Sequence, residues 1–535
     1  MANCPQCGGT VKFDIESQQL KCMSCDGLFA PEMEELLADP ENSSGSADAN
    51  NGGEYEATVF ICPQCGGELV STEHDLSGNC SFCGSPVVFN TKMVRQKRPD
   101  YIIPFGITKN ECKEAFIKEI KKKPFAPKEL KDPEFIESFR GIYVPYWFYD
   151  VKQNGKFSFD VNYTEHHSTY SYVCKDRVSG QHNSEYKHIM HDASSVLHDD
   201  ISEKTEPFET VPNPDLHRRS PELKKFSTGY FAGFYAEPAD VPASTYIEYA
   251  KHIADDKTAA YITKHQSFTK YHKYPERKTL ETSAEKNSLA MMPVWFLSYR
   301  KHNRVAYAAV NGQTGRVVSD CPIDFGIFTL KFLAAAAIFF ILLMFATIMP
   351  VSVTLMSVIF AWFVTRYCHD DIKMLRGRAD DEKTGKLRVK LSSSKLTLGI
   401  FIGVFIVFLW FKACCYVEPD AVMFVEPHLF GLIAVVFIIL HIVNTVFLYI
   451  DLAAIKKDRA VCYFISPMLD LAAAFFGTAV LFAAPVEDYK YYLAGCIVIA
   501  VEMLSFIAII RNYNRIATRP LPQFAVHKGG DDSAR

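Results

Sequence analysis

Two copies of one cysteine motif constrain this chain more than any other feature of its sequence. Cys-Pro-Gln-Cys-Gly-Gly occurs at residues 4–9 and again at 62–67, and 14 residues separate the Cys-x-x-Cys pair of each copy from a second such pair. Two such pairs supply four thiolates, which is the complete tetrahedral ligand shell of a structural zinc ion. The sequence therefore predicts two zinc ribbons and two Zn²⁺ per chain, with the ligands Cys4, Cys7, Cys22, Cys25, Cys62, Cys65, Cys80 and Cys83.

The predicted ribbons occupy residues 1–35 and 59–92, and each should be a small β structure. Ribbons of this size have little apolar core, so metal binding supplies most of their folding free energy. Because the protein supplies all four ligands, no open coordination position is left for catalysis. Residues 36–58 are rich in Ser, Asn, Asp and Gly, which predicts a disordered linker and ribbons carried on a flexible arm.

Residues 100–325 are predicted to form a cytosolic α+β domain with an internal duplication. The sequence Pro-Tyr-Trp-Phe at 145–148 has a counterpart, Pro-Val-Trp-Phe, 148 residues later. A polar turn and a second strand follow each copy, so we place the duplicated units at about 100–165 and 228–320. Trp147 and Trp295 occupy the matched position, and we expect both to be core anchors on strands.

The histidines of this domain offer a weaker signal for chemistry. Six of the 16 histidines lie between His166 and His198, and His188-x-x-His191 has a spacing that could bind a metal. Since no carboxylate stands at a recognisable ligand spacing, we favour a solvated surface. The chain also lacks a phosphate-binding loop, a His-Glu-x-x-His motif and a Gly-x-Ser-x-Gly elbow, so we predict that it is not an enzyme.

The last third of the chain is dominated by long apolar runs. A helix that spans a membrane needs about 20 apolar residues. Segment 366–395 contains nine Lys and Arg residues, whereas 415–428 contains three acidic residues and no Lys or Arg. Because cytoplasmic loops are rich in Lys and Arg, this pattern predicts a multi-pass protein of the plasma membrane with both termini and a tail at 512–535 in the cytosol. The six predicted spans of this all-α bundle, within 328–511, lie at about 328–349, 351–368, 396–414, 429–450, 463–484 and 491–511.

Four polar side chains fall inside the predicted spans. They are His441 and Asn444 in the fourth span, Asp470 in the fifth and Glu502 in the sixth. Polar groups are costly in a bilayer, and counting along the helices places three of them at a similar depth. They could form a proton or ion relay, but we favour buried polar contacts that hold the helices together.

The order of these features resembles a bacterial family of zinc-ribbon membrane proteins. The resemblance rests on both Cys-Pro-Gln-Cys-Gly-Gly ribbons, Ile-Ile-Pro-Phe, Tyr-Val-Pro-Tyr-Trp-Phe and Met-Pro-Val-Trp-Phe-Leu. The ribbons of that family look like those of transcription factor IIB, and its members often carry a primosomal or replication-helicase label that the missing nucleotide-binding loop does not support here. Members in bacilli look like membrane partners of phage-shock protein A, a cytosolic coat protein. The resemblance implies such a partner and no catalytic residues.

Three functions follow as hypotheses from the sequence. The first is a non-catalytic scaffold in the lipid bilayer whose ribbons recruit a cytosolic protein. The second is a transporter or membrane enzyme that uses His441, Asp470 and Glu502, with regulatory ribbons. The third is a membrane-tethered nucleic-acid binder, which the net charge of −4 and the few basic residues near the ribbons disfavour. A homo-oligomer is compatible with each.

Overall fold

The chain divides into two compact units. The computed structural model describes residues 4–32, 53–71, 77–166, 171–196, 199–210, 221–265, 280–344, 351, 353–366, 369, 427–453 and 466–524. Unit 1 contains the described residues up to Pro124, from Lys128 to Cys321, and from Thr518 onward. Unit 2 contains those at Phe125–Pro127 and from Pro322 to Ala517.

Unit 1 is a mixed α/β structure, and unit 2 is helical. The described strands are β1 Val11–Asp14, β2 Gln19–Cys22, β3 Leu28–Phe29, β4 Glu54–Ile61, β5 Glu68–Ser71, β6 Ser77–Asn79, β7 Pro86–Val88, β8 Asn90–Lys97, β9 Tyr101–Ile102, β10 Arg140–His166, β11 Ser171–Asp192, β12 Lys224–Lys225, β13 Tyr235–Ala236, β14 Thr282–Lys301, β15 Arg304–Asn311, β16 Val317–Ser319 and β17 Arg519–Pro520. The described α-helices are α1 Lys109–Lys121, α2 Pro133–Ile136, α3 Asp199–Thr205, α4 Ile247–His265, α5 Phe325–Met344, α6 Val353–Arg366, α7 Pro427–Ala453, α8 Ser466–Ala483 and α9 Asp488–Ile516.

A 12-stranded sheet organises unit 1. Its strands follow the order β12-β9-β14-β10-β13-β5-β4-β8, with β11 also paired to β10, β15 to β14, and both β16 and β17 to β15. The capping box predicted at the start of α1 is confirmed, since the Thr108 hydroxyl accepts from the Glu111 amide and the Glu111 carboxylate accepts from the Thr108 amide. Buried aromatic and aliphatic side chains line the central strands β10 and β14.

The two predicted repeats have the same geometry around these central strands. β10 and β14 pair antiparallel with Val144 opposite Met292, which are equivalent positions of the two copies. Each central strand also pairs in parallel with the short strand of the other copy, β9 with β14 and β13 with β10. Trp147 and Trp295 are both buried, so the prediction that they anchor the core is confirmed.

The second ribbon is not separate from this domain, contrary to the predicted arm. Its strands β4, β5 and β8 belong to the 12-stranded sheet, where β5 pairs with β13. The predicted C-terminal boundary of the linker is therefore wrong, because its last residues, 54–58, form the start of β4. Alternating apolar side chains of β4, such as Val59, are buried. This burial explains why the strand β4 joins the sheet. Linker residues 36–52 lie outside the described residues.

The first ribbon is a separate three-stranded sheet, β1-β2-β3, that packs against the same unit. The Phe13 amide donates to the Ala232 carbonyl at 2.9 Å, and the Phe13 ring lies 5.3 Å from that of Tyr230. The Gln18 amide group donates to the Phe105 carbonyl at 2.8 Å. These contacts hold ribbon 1 against unit 1, so the prediction of a flexible arm is wrong for both ribbons.

Unit 2 agrees with the membrane prediction in part. Two of its described helices are long and apolar enough to cross a membrane, at Phe430–Ile450 and Asp488–Arg515. Shorter apolar helices lie at Phe325–Ala334, Val353–Arg366 and Pro467–Ala483, within or beside predicted spans. The third predicted span, 396–414, lies outside the described residues. The described part of the chain supports two candidate spans and not the six that were predicted.

The predicted cytosolic tail begins later than expected. α9 continues to Ile516, and β17 then joins the sheet of unit 1 beside β15. The Arg519 guanidinium forms an ion pair with Asp320 in the same unit. Residues 512–524 are therefore part of the fold, and 525–535 lie outside the described residues.

Candidate metal centres

The first cysteine group brings together the four sulfur atoms predicted for ribbon 1. Cys4, Cys7, Cys22 and Cys25 place their Sγ atoms within 4.8 Å of one another. The Cys4–Cys25 and Cys7–Cys22 distances are 3.6 and 3.5 Å. A zinc–sulfur bond of about 2.3 Å in a tetrahedron requires sulfur atoms about 3.8 Å apart. The group therefore fits a single tetrahedral ion.

The second cysteine group has the same geometry. Cys62, Cys65, Cys80 and Cys83 also lie within 4.8 Å of one another. The Cys62–Cys83 and Cys65–Cys80 sulfur distances are 3.9 and 3.7 Å, again close to the tetrahedral value. The predicted ligand sets are thus assembled in both ribbons, and four thiolates are the donor set that zinc prefers.

A repeated backbone turn shapes the ligand pairs. In the first pair of ribbon 1, the Gly8 amide donates to the Cys4 carbonyl and the Cys4 amide donates to the Gly9 carbonyl, both at 2.8 Å. The equivalent bonds recur in the other three pairs. The turn needs a positive φ, which glycine adopts without strain. Gly8, Gly66 and Gly84 supply it, and Asp26 takes this place in the fourth pair with φ 57°.

The turn also directs amide groups at the sulfur atoms. The Ser24 amide donates to the Cys22 sulfur at 3.4 Å. This bond, together with one from the Cys25 amide, lowers the pKa of Cys22 to about 6. A thiol with a lowered pKa is a thiolate at neutral pH, which is the form that ligates a metal. These backbone amides therefore favour the thiolate form of Cys22.

The two groups differ in their exposure. All four ligands of ribbon 2 are buried, whereas Cys7 and Cys25 of ribbon 1 are exposed. Ribbon 1 also leaves two large apolar side chains in solvent, Met23 at 64% and Leu28 at 51% exposure. The ligands of ribbon 2 are thus part of the core, although Val88 of this ribbon is 67% exposed, while ribbon 1 has both ligands and apolar side chains at its surface.

Ribbon 2 is joined to unit 1 by specific contacts around its ligands. The Tyr307 hydroxyl donates to the Phe82 carbonyl at 2.8 Å, and the Phe524 amide donates to the Cys65 carbonyl at 2.7 Å. The Phe82 ring contacts those of Phe296 and Phe524. Tyr307 and Phe524 are far from the ribbon in sequence, and only the folded chain reveals their role.

Within the described residues, the histidine pair of the middle domain is not part of a group of metal-ligating side chains. Among the described residues, the two cysteine groups are the only sets of three or more His, Cys, Asp or Glu ligands close enough for one ion. The prediction of a solvated surface is also wrong for His191, which is buried and stacks on Tyr246 with the ring centroids 3.6 Å apart. Its Nδ1 atom lies 3.1 Å from the Asp192 carboxylate.

Two carboxyl groups lie near His191 or its neighbour Asp192, the partly exposed Glu206 and the buried Glu237. Burial raises the pKa of Glu206 to about 8, where His191 opposes the shift. Burial also raises the pKa of Glu237 to about 8, and the neighbouring charge of Asp192 adds to the effect. Because a buried charge is costly, both groups favour the neutral acid in the folded state.

The polar residues predicted inside the spans are buried in unit 2. His441, Asp470 and Glu502 are fully buried, and Asn444 is nearly so. The Thr365 hydroxyl lies 2.9 Å from His441 Nε2 and 3.4 Å from an Asp470 oxygen. The structure thus links His441 and Asp470 through a residue that the sequence did not single out.

Further partners of this group were also missed. The Ser505 hydroxyl donates to Asp470, and His369 Nδ1 lies 2.8 Å from the Asn444 side-chain oxygen. Arg366 also reaches Asn444 at 3.4 Å. Ser and Thr are common in apolar helices, so their residue types alone did not mark Ser505 and Thr365 as partners. Arg366 and His369, by contrast, are charged or ionisable residues at the end of a predicted span and could have been noticed in the sequence.

Comparison with known proteins finds a distant similarity. No protein-family model matches this chain, and no solved structure matches it. The chain is similar to a protein of Bacillus subtilis (strain 168) described as the uncharacterized protein YdjG, with 28% identity over 328 residues. The similarity covers 60% of this chain and 90% of that protein, whose description names no activity. The function must therefore be argued from the sites.

Proposed function

We propose that this protein is a non-catalytic scaffold of the bacterial plasma membrane that binds one zinc ion in each ribbon and recruits a cytosolic protein through ribbon 1. The observation that carries the proposal is the contrast between the ribbons. The four ligands of ribbon 2 are buried in the core of unit 1, whereas ribbon 1 has two ligands exposed, with Met23 and Leu28 exposed beside them. Both ligand sets are complete with protein thiolates, which favours a structural role for the metal.

The exposed face of ribbon 1 fits a protein partner. Large apolar side chains in solvent on a rigid, metal-stabilised turn are suited to fill a pocket of another protein. Lys21 and Asp26 form an ion pair near this face, which leaves it without a strong net charge. The partner that the family resemblance suggests is a coat protein of the phage-shock protein A type.

Anchoring in the membrane is the second part of the proposal. Two described helices have the length and composition of membrane spans, and three shorter apolar helices accompany them. The distribution of Lys and Arg between the apolar segments favours six spans with both termini in the cytosol. Unit 1 and its ribbons would then face the cytosol, where thiols stay reduced and available for zinc.

Affinity purification of the full-length tagged protein from native membranes tests the scaffold. Met23→Asp combined with Leu28→Asp should remove the co-purifying partner and leave the zinc content at about two ions per chain. Met93→Asp is the matched control, because Met93 is 70% exposed on the edge strand β8 of the same unit. Retention of the partner by the ribbon 1 variant, or equal loss in the control, would contradict the proposal. Binding that falls steeply with salt would indicate nucleic acid instead.

Transport is a second candidate function, and one observation favours it. The fully buried carboxyl groups of unit 2 lie beside hydroxyl and imidazole groups, an arrangement found along proton pathways. A scaffold does not require this arrangement. Reconstitution in vesicles with a pH-sensitive dye inside would detect proton movement, and Asp470→Asn should abolish it.

A further inference from the structure

We infer that the carboxyl groups of Asp470 and Glu502 form a proton-binding site inside unit 2, with Ser505, Thr365 and His441 as its hydrogen-bonding groups. The inference concerns unit 2 alone and does not depend on what ribbon 1 binds. Such a site differs from a set of fixed polar contacts, because its carboxyl groups bind a specific ligand, the proton.

The site is assembled from four helices. Thr365 lies at the end of α6, His441 in α7, Asp470 in α8, and both Glu502 and Ser505 in α9. The Ser505 hydroxyl donates to one Asp470 carboxylate oxygen, and the Thr365 hydroxyl lies 3.4 Å from the other. Glu502 precedes Ser505 by three residues, so the two side chains share one face of α9. Glu502 is thereby placed within electrostatic range of Asp470.

Glu502 is the observation that points to a ligand. It is fully buried, and neither of its carboxyl oxygens has a hydrogen-bond partner among the described residues. Within the same described residues, no Lys or Arg pairs with Asp470 or Glu502, and the nearby Arg366 binds Asn444. A bare carboxylate in such a place costs several kcal/mol, and a second one beside it costs more. Protonation removes the charge, so the pair holds at least one proton.

The ligand is a proton rather than a metal ion. Among the described residues, only the two cysteine groups bring three metal-ligating side chains within range of one ion. The imidazole and carboxyl atoms of His441, Asp470 and Glu502 are therefore too far apart to share a divalent cation.

The Thr365 hydroxyl connects the site to His441. Its oxygen lies 2.9 Å from His441 Nε2 and 3.4 Å from Asp470, but it carries a single proton. If Thr365 donates to Asp470, it must accept from a protonated Nε2. If it donates to His441, the Asp470 oxygen that it leaves needs a proton of its own. The protonation of Asp470 is thus coupled through one hydroxyl to whether His441 carries a proton on Nε2.

Carbodiimide labelling of the full-length protein in mild detergent tests the site. Dicyclohexylcarbodiimide enters apolar regions and reacts with protonated carboxyl groups. Mass spectrometry of the digested protein, labelled at a series of pH values from about 5.5 to about 9, should find the adduct on Glu502. Once the carboxyl ionises, labelling should fall by about tenfold for each pH unit. Glu502→Gln should lose the adduct and serves as the control for assignment.

Two further arms keep the result decisive. In Asp470→Asn the neighbouring charge is gone, so labelling of Glu502 should fall off at a lower pH than in the unsubstituted protein. Sodium chloride at constant ionic strength should not protect Glu502. The inference is overturned by sodium protection, which would indicate a sodium site, by labelling that does not change with pH, or by the absence of an adduct at the lowest pH. If a variant fails to fold, the pH series on the unsubstituted protein still tests whether Glu502 binds a proton.

Discussion

Serine substitution of one ligand in each ribbon separates the metal centres by their role in folding. Cys22 and Cys80 are equivalent positions, each the first cysteine of the second pair, and both are buried. Replacing either should reduce the metal content from about two ions per chain to about one. We expect Cys80→Ser to destabilise unit 1 as a whole and Cys22→Ser to affect mainly ribbon 1.

The magnitude follows from the contacts that ribbon 2 makes. Loss of its metal would release hydrogen bonds from Tyr307, Phe524 and Ser298 to ribbon carbonyls, each worth about 1 kcal/mol. Exposing the buried Phe82 ring adds about 2 kcal/mol. The sum of about 5 kcal/mol is comparable to the whole stability of a marginal domain. For ribbon 1, separation of the Phe13 ring from unit 1 suggests about 2 kcal/mol.

Hydrogen exchange read by mass spectrometry on the full-length protein measures the difference. Peptides from the central strands β10 and β14 report on unit 1 and contain no ribbon residue. A loss of about 5 kcal/mol corresponds to exchange that is more than about a thousandfold faster, whereas Cys22→Ser should change these peptides far less. Equal acceleration in both variants, or protection of β14 that survives Cys80→Ser, would refute the assignment of ribbon 2 to the core.

Three other predictions concern unit 1. Trp295→Phe should lower its stability by about 1–3 kcal/mol in urea denaturation, because the Ile107 carbonyl loses the indole N–H that lies 2.8 Å away. Raising the pH from about 6 to about 8 should destabilise it by about 2 kcal/mol for each of Glu206 and Glu237, since their folded pKa of about 8 exceeds the unfolded value and stability is lost as pH rises towards it. The loss can be measured as a fall in melting temperature between these pH values, and Glu237→Gln should make this fall smaller. Asn311→Ala should cost about 2 kcal/mol by the same urea assay, because its side chain accepts from two turn amides and donates to a carbonyl of α3.

The cysteine groups could be predicted from sequence because their determinants are local. Two Cys-x-x-Cys pairs with fixed spacing specify a tetrahedral shell whatever surrounds them. The capping box at Thr108 is local in the same sense, and the burial of the tryptophans follows from residue type. The burial of ribbon 2 is not determined locally. It depends on β5 pairing with β13, a contact between residues about 165 positions apart that no periodicity encodes.

Only the residues of the site in unit 2 that are costly to bury could be predicted from the sequence. Asp470 and Glu502 stand out because carboxyl groups are rare in apolar helices. Thr365 and Ser505, which satisfy Asp470, do not stand out, because hydroxyl side chains in helices usually bond to their own backbone. Which hydroxyl faces which carboxyl depends on helix rotation and depth, and these are set by packing rather than by composition.

The exchange of partners between the two repeats argues that they fold as one body. Trp147 lies in the first copy and donates to Val241, which follows the short strand of the second. Trp295 lies in the second copy and donates to Ile107, which follows the short strand of the first. Neither copy contains both the indole and its acceptor. A single copy could complete these buried bonds only with another copy of itself, so a covalent duplication supplies in one chain what an isolated unit would need a partner to provide.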